Sequence, residues 1–88
     1  MKKMKFENKV RISDLLYIEQ FPSDVECYYK GTHILINPFS SEWADITWGS
    51  GSLDEEVGAP LREVFDVPII EGKTLRQMAE HGELTWTK

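Results

Sequence analysis

Apolar residues of this chain change their spacing several times, and each change marks a candidate element. From Met4 to Ile12 they fall on alternate positions: Phe6 and Val10 share one parity, Asn8 breaks it, and Lys5, Glu7, Lys9 and Arg11 take the other face. That pattern predicts a strand, with a turn at Asn8 and two shorter strands as the alternative, because Asn tolerates turn geometry. Ser13 then caps a short helix from Asp14 to about Gln20, with Leu15, Leu16 and Ile18 on its apolar side. Tyr17 and Ile18 also suit a continuing strand.

The clearest element is "VECYYKGTHILI", Val25 to Ile36. Two apolar runs flank Gly31, and a two-residue loop at Lys30-Gly31 or Gly31-Thr32 turns them into a hairpin with Val25, Cys27, Ile34 and Ile36 on one face. Asn37-Pro38 ends the second strand, since proline has no donor for the ladder. After the loop "FSSEW", the run "ADITW" alternates again, with Ala44, Ile46 and Trp48 on one side of a third strand. The "GSGS" stretch from Gly49 to Ser52 reads as a loop. Ser52 and Glu55 have the spacing of a capping box, so a helical turn is expected from Leu53, interrupted near Gly58 and Pro60. "PLREVF" restarts it, with Pro60 at the first helical position and Leu61, Val64 and Phe65 on one face.

Gly72-Lys73-Thr74 has the composition that closes a phosphate-binding loop, but the positions before it are wrong. Such a loop needs a glycine five residues ahead of the second, and position 67 is Val. Pro68 lacks a backbone donor, and Ile69 and Ile70 resist the left-handed conformations these loops use. The stretch reads instead as a turn before a helix. Thr74 and Gln77 form a capping box, Leu75, Met78 and Ala79 a narrow apolar face, His81 sits in the last turn and Gly82 supplies the left-handed exit. "ELTWT" then places Leu84 and Trp86 inward on a closing strand. The sum is an α+β domain, residues 1–88, with a mainly antiparallel sheet of three to five strands and two or three short helices packed on one face.

Composition narrows the class. At 88 residues the chain supports one core, and 41% hydrophobic with 28% charged residues is ordinary for a globular fold. Cys27 is the only cysteine, which rules out an internal disulfide and a cysteine-rich zinc site, and points to a reducing, cytoplasmic setting. The basic opening is not followed by the apolar run of a signal peptide, and no stretch nears the ~20 apolar residues of a membrane span. Net charge is −5, divided as +4 over residues 1–11 and −9 over residues 12–88. Binding of duplex DNA through a broad basic face is therefore disfavoured.

Candidate chemistry is sparse. His33 and His81 have no carboxylate or thiol at a metal-binding spacing, so no metal or cofactor is expected; His33 reads as an exposed strand residue and His81 as a residue favoured by the helix C-terminus. Cys27 shares parity with Val25, Ile34 and Ile36 and reads as core. Ser50 and Ser52 lack the nucleophile elbow, and Asp54, Glu55 and Glu56 read as an acidic first helical turn. No catalytic residue is assigned. Phe39, Trp43 and Trp48 flank Glu42, Asp45 and the Gly-Ser loop, a grouping that suits a binding hot spot or the completion of a small core. The partner-facing surface is expected between Trp43 and Asp54, through Trp43, Glu42, Asp45 and Asp54, with Trp43 as the anchor and Trp48 in the core. These features favour a non-enzymatic, acidic interaction module for a protein partner: an inhibitor, an immunity-type protein or a regulator. Two alternatives stand beside it: a nucleic-acid binder using the basic segment 1–11 with exposed aromatics, and a small enzyme whose site forms at an oligomer interface.

Overall fold

The computed structural model describes residues 8–88. Five strands, β1 (Val25–Tyr29), β2 (Thr32–Pro38), β3 (Trp43–Gly49), β4 (Glu55–Pro60) and β5 (Leu84–Thr85), form one sheet in the order β4-β3-β2-β1-β5. Every pairing is antiparallel: β1 to β4 make a meander, and β5 returns to the free side of β1. Two helices, α1 (Ile12–Gln20) and α2 (Leu75–Glu80), and one 3-10 turn at Val64–Asp66 complete the α+β fold expected from the spacing. No described helix is long and apolar enough to cross a membrane.

Register explains which face is covered. Cys27, Tyr29, Ile34, Ile36, Ala44, Ile46, Ala59 and Leu84 are all buried, and all stand on the same side of the sheet. Leu15, Ile18, Val64, Phe65, Leu75, Met78 and Ala79 meet them from the helical layer to form one continuous core. The helical layer is also tied by charge: Arg76 of α2 donates to Asp66 at 2.7 Å and approaches Glu19 of α1 at 3.6 Å. The β1–β2 turn falls at Lys30-Gly31, both with positive φ (48° and 85°), the mirror-image turn whose twist matches the strands. At the C-terminal end, Thr74 and Gln77 form the expected reciprocal cap of α2, and Gly82 leaves it at φ 68°.

Four expectations are corrected. Of the strand expected over residues 4–12, positions 4–7 lie outside the described residues. Beyond them only Lys9 bridges to Thr85, and Ile12 already belongs to α1. Ser13 is not the cap of that helix; the Arg11 N–H donates to the Asp14 carboxylate at 2.8 Å, so the first turn is closed by the carboxylate at its third position. The helical turns expected from Leu53 are strand β4 instead, with Val57 opposite Ile46 and Ala59 opposite Ala44. Here long-range pairing with β3 outweighs a local capping signal. In "PLREVF", Pro60 ends β4, residues 61–63 turn and Val64–Phe65 enter the 3-10 turn instead of an α-helix, yet Leu61, Val64 and Phe65 are buried together as their spacing requires.

Candidate functional site

The side of the sheet away from the helices carries the other parity. Across it run Tyr28, His33 and Gly49 in one row, then Glu26, Leu35, Thr47 and Glu56, then Asn37, Asp45 and Gly58, and finally Trp43 and Pro60. None of these residues is buried, so this face stands open among the described residues. Two pairs on it are held in place. The His33 ring stacks on Tyr28 at 5.1 Å while its Nε2–H donates to Glu26 at 2.7 Å. The Trp43 indole Nε1–H donates to Asp45 Oδ1 at 3.2 Å, leaving the ring 43% exposed.

Gly58 on β4 makes the second pair fit. A Cβ at that position would come within 2.6 Å of Asp45 Oδ1 and 3.2 Å of Trp43 Nε1. The indole and the carboxylate therefore lie against the bare backbone of the neighbouring strand. This is a large apolar surface with limited rotamer freedom, the kind of residue that anchors protein interfaces.

The four residues expected to face a partner do not form one patch. Trp43 is the first residue of β3 rather than a loop residue, and it is joined to Asp45. Glu42, next in the chain, lines a different feature, a cleft of about 840 Å³ between the end of α1 and the β2–β3 loop, with Glu19, Ser41, Arg62 and Glu63. Asp54 lies beyond the far end of β3, where it accepts from the Ser52 hydroxyl; six residues of strand put it about 20 Å from Trp43. It precedes a strand, so it is not part of a helix first turn. Trp48 is half-buried and packs against the core from the covered side, opposite Ile34.

His33 lies on a strand and is not buried, as expected, whereas Tyr28, Leu35 and Gly58 were not singled out by sequence reasoning, although a signal for the first two existed. Tyr28 and Leu35 have the opposite parity to Cys27, Ile34 and Ile36, and parity alone puts them on the second face. Gly58 carried no such signal, because its role depends on which strand lies beside it. A second group of exposed apolar residues, Leu16 and Tyr17 on α1 and Phe21 at its C-terminal cap, has the Tyr17 and Phe21 rings 4.9 Å apart.

The reactive groups have structural surroundings. Cys27 is fully buried, and burial pushes its thiol up to about 12, so it holds its proton and meets no solvent. Gly72 (φ 75°) and Lys73 form a tight turn, with the Lys73 N–H bonded to Ile70 C=O at 2.9 Å. The Lys73 ammonium donates to the Tyr29 hydroxyl at 3.2 Å and approaches Glu83 at 3.6 Å. The hydrogen bond with Tyr29 raises its pKa first of all, with Glu83 adding to it. Tyr29 in turn donates to Glu71 at 3.4 Å, which satisfies the one polar atom of a ring buried in the core.

Comparison with protein-family models, curated proteins and solved structures finds no match to this chain.

Proposed function

We propose that this protein is a non-enzymatic interaction module, of inhibitor, immunity or regulatory type, that holds a protein partner on the open face of its sheet. The observation that carries this reading is Trp43, presented on that face and oriented by Asp45 over Gly58. An indole fixed before contact loses little freedom on binding, so more of its buried area appears as affinity. The burial of Cys27 and the engagement of Lys73 by Tyr29 and Glu83 support the same reading, since both groups are committed to the fold.

The test is capture of partners from a native lysate by the parent protein, by Trp43→Ala and by Tyr17→Ala, followed by mass spectrometry. The reading expects a protein retained by the parent and by Tyr17→Ala and lost with Trp43→Ala. A partner held equally by Trp43→Ala and released by Tyr17→Ala moves the interface to α1 and defeats it.

A further inference from the structure

The strands share one electrostatic property. Among the described residues the lysines and arginines are Lys9, Arg11, Lys30, Arg62, Lys73, Arg76 and Lys88, and none of them lies in a strand. The same five strands carry Glu26, Asp45, Glu55 and Glu56. By register Glu26, Asp45 and Glu56 stand on the open face, around the uncharged centre formed by Leu35 and Thr47.

Resting on the interaction reading above, we propose that the partner of the open face is a protein with a positively charged surface, whose lysines or arginines meet Glu26, Asp45 and Glu56 while apolar groups cover Leu35 and Trp43. Charge complementarity decides the sign. A face bearing carboxylates and no cation on its strands repels nucleic-acid phosphates and acidic proteins and steers basic ones toward it, which acts mainly on association rate and on rejection of wrong partners. It also disfavours a second copy of this chain, because an isologous contact would set the same carboxylates against each other.

Size sets a further condition. Strands β1 to β4, of five to seven residues each, about 4.8 Å apart and some 20 Å long, present roughly 400 Å² of plane, about half of what each partner contributes to a standard interface. The partner must therefore extend past the sheet to the loops at its ends, 39–42 and 50–54. Those loops add Glu42 and Asp54, two more carboxylates, to the rim.

The experiment uses the whole chain and defined probes: a short peptide of alternating arginine and lysine, a matched glutamate peptide, and a DNA duplex of about 20 base pairs. Amide resonances are followed during each titration. The expected result is that only the cationic peptide binds, that shifts concentrate on Glu26, Leu35, Asp45, Thr47 and Glu56 with α1 and α2 unmoved, and that Asp45→Asn with Glu56→Gln weakens binding about tenfold without lowering the melting temperature. Shifts centred on Glu19, Glu63 and Glu80, binding of the duplex on the open face, or concentration-dependent broadening of that face from self-association each overturn the inference. So does a captured partner that requires Trp43 but binds the doubly substituted protein as well as the parent and is not displaced by the cationic competitor. That last outcome leaves the interaction reading standing, whereas capture independent of Trp43 removes the reading itself.

Discussion

The indole of Trp43 and the carboxylate of Asp45 are joined at 3.2 Å, two residues apart on one strand, on the face that no described helix covers. Side chains at i and i+2 of a strand point the same way, so the pair needs no tertiary fold to face together. It does need a neighbour without a side chain. Gly58 provides that, and the relationship therefore links β3 to β4 as well as Trp43 to Asp45.

Gly58→Ala tests this link. The added methyl meets the carboxylate at 2.6 Å and the indole at 3.2 Å, so the exposed pair has to swing away. Because the residue is exposed on an edge strand, global stability is expected to change by no more than ~1 kcal/mol. The Trp43 indole N–H resonance should shift strongly and partner capture should fall. An unchanged resonance shows that the pair does not rest on Gly58.

Truncating the two strand tryptophans separates anchor from core. Trp48→Ala opens a hole against the packed face beside Ile34 and is expected to cost about 3 kcal/mol, at the low end for a large aromatic because the ring is only half-buried. Trp43→Ala removes a 43% exposed ring and is expected to cost about 1 kcal/mol. Denaturant unfolding of both variants gives the comparison. Equal losses would mean that Trp43 is part of the packing and not a surface held ready for a partner.

Local signals were legible where the chain's nearest neighbours decide its conformation. Gly31 between two alternating runs, and Thr74 three residues before Gln77, each specify a turn or a cap from a handful of adjacent residues, and both are formed. Parity alone placed Cys27, Ile34 and Ile46 in the core and Leu84 on the closing strand. What stayed hidden depends on distant partners. "EEVGAP" has one β-branched residue and two glutamates, and its strand conformation comes from lying beside β3. The capping spacing of Ser52 and Glu55 was a coincidence that pairing overrode. The site shared this limit: Trp43 and Asp45 were readable as candidates, but Gly58 beneath them, and the distance that sends Asp54 to the far end of β3, required the sheet.

The α2 cap offers a direct energetic check. Thr74 Oγ1 accepts from the Gln77 N–H at 3.1 Å, and the Gln77 side chain accepts from the Thr74 N–H at 2.9 Å. A six-residue helix cannot persist alone, so these bonds and the burial of Leu75, Met78 and Ala79 hold it in place. Thr74→Ala is expected to lower stability by about 1 kcal/mol, and Thr74→Ser by much less. Chemical denaturation distinguishes them, and equal losses in the two variants would assign the effect to the missing methyl group in place of the cap.

Cys27 makes stability depend on alkaline pH with a definite sign. In the unfolded chain the thiol gives up its proton near the ordinary 9.0, while burial among Ile34 and its neighbours holds it until about 12. Between those values the unfolded state binds fewer protons than the folded one, so stability is fully present below about pH 9 and declines as pH rises through the window, by up to ~1.4 kcal/mol per unit. Lys73, whose pKa is also raised, acts in the same direction, because its bond with Tyr29 favours the charged ammonium over the neutral amine. The slope of the parent alone is therefore a composite, and the difference between parent and Cys27→Ala isolates the thiol. Urea melts at pH 8, 9 and about 10 are expected to show the parent losing stability faster than Cys27→Ala, even though the variant starts lower. In the folded parent at pH 8 a thiol reagent should react only as fast as the protein opens, and at once in denaturant. Parallel pH slopes together with rapid native labelling would show a thiol in reach of solvent, and would return Cys27 to the list of reactive groups.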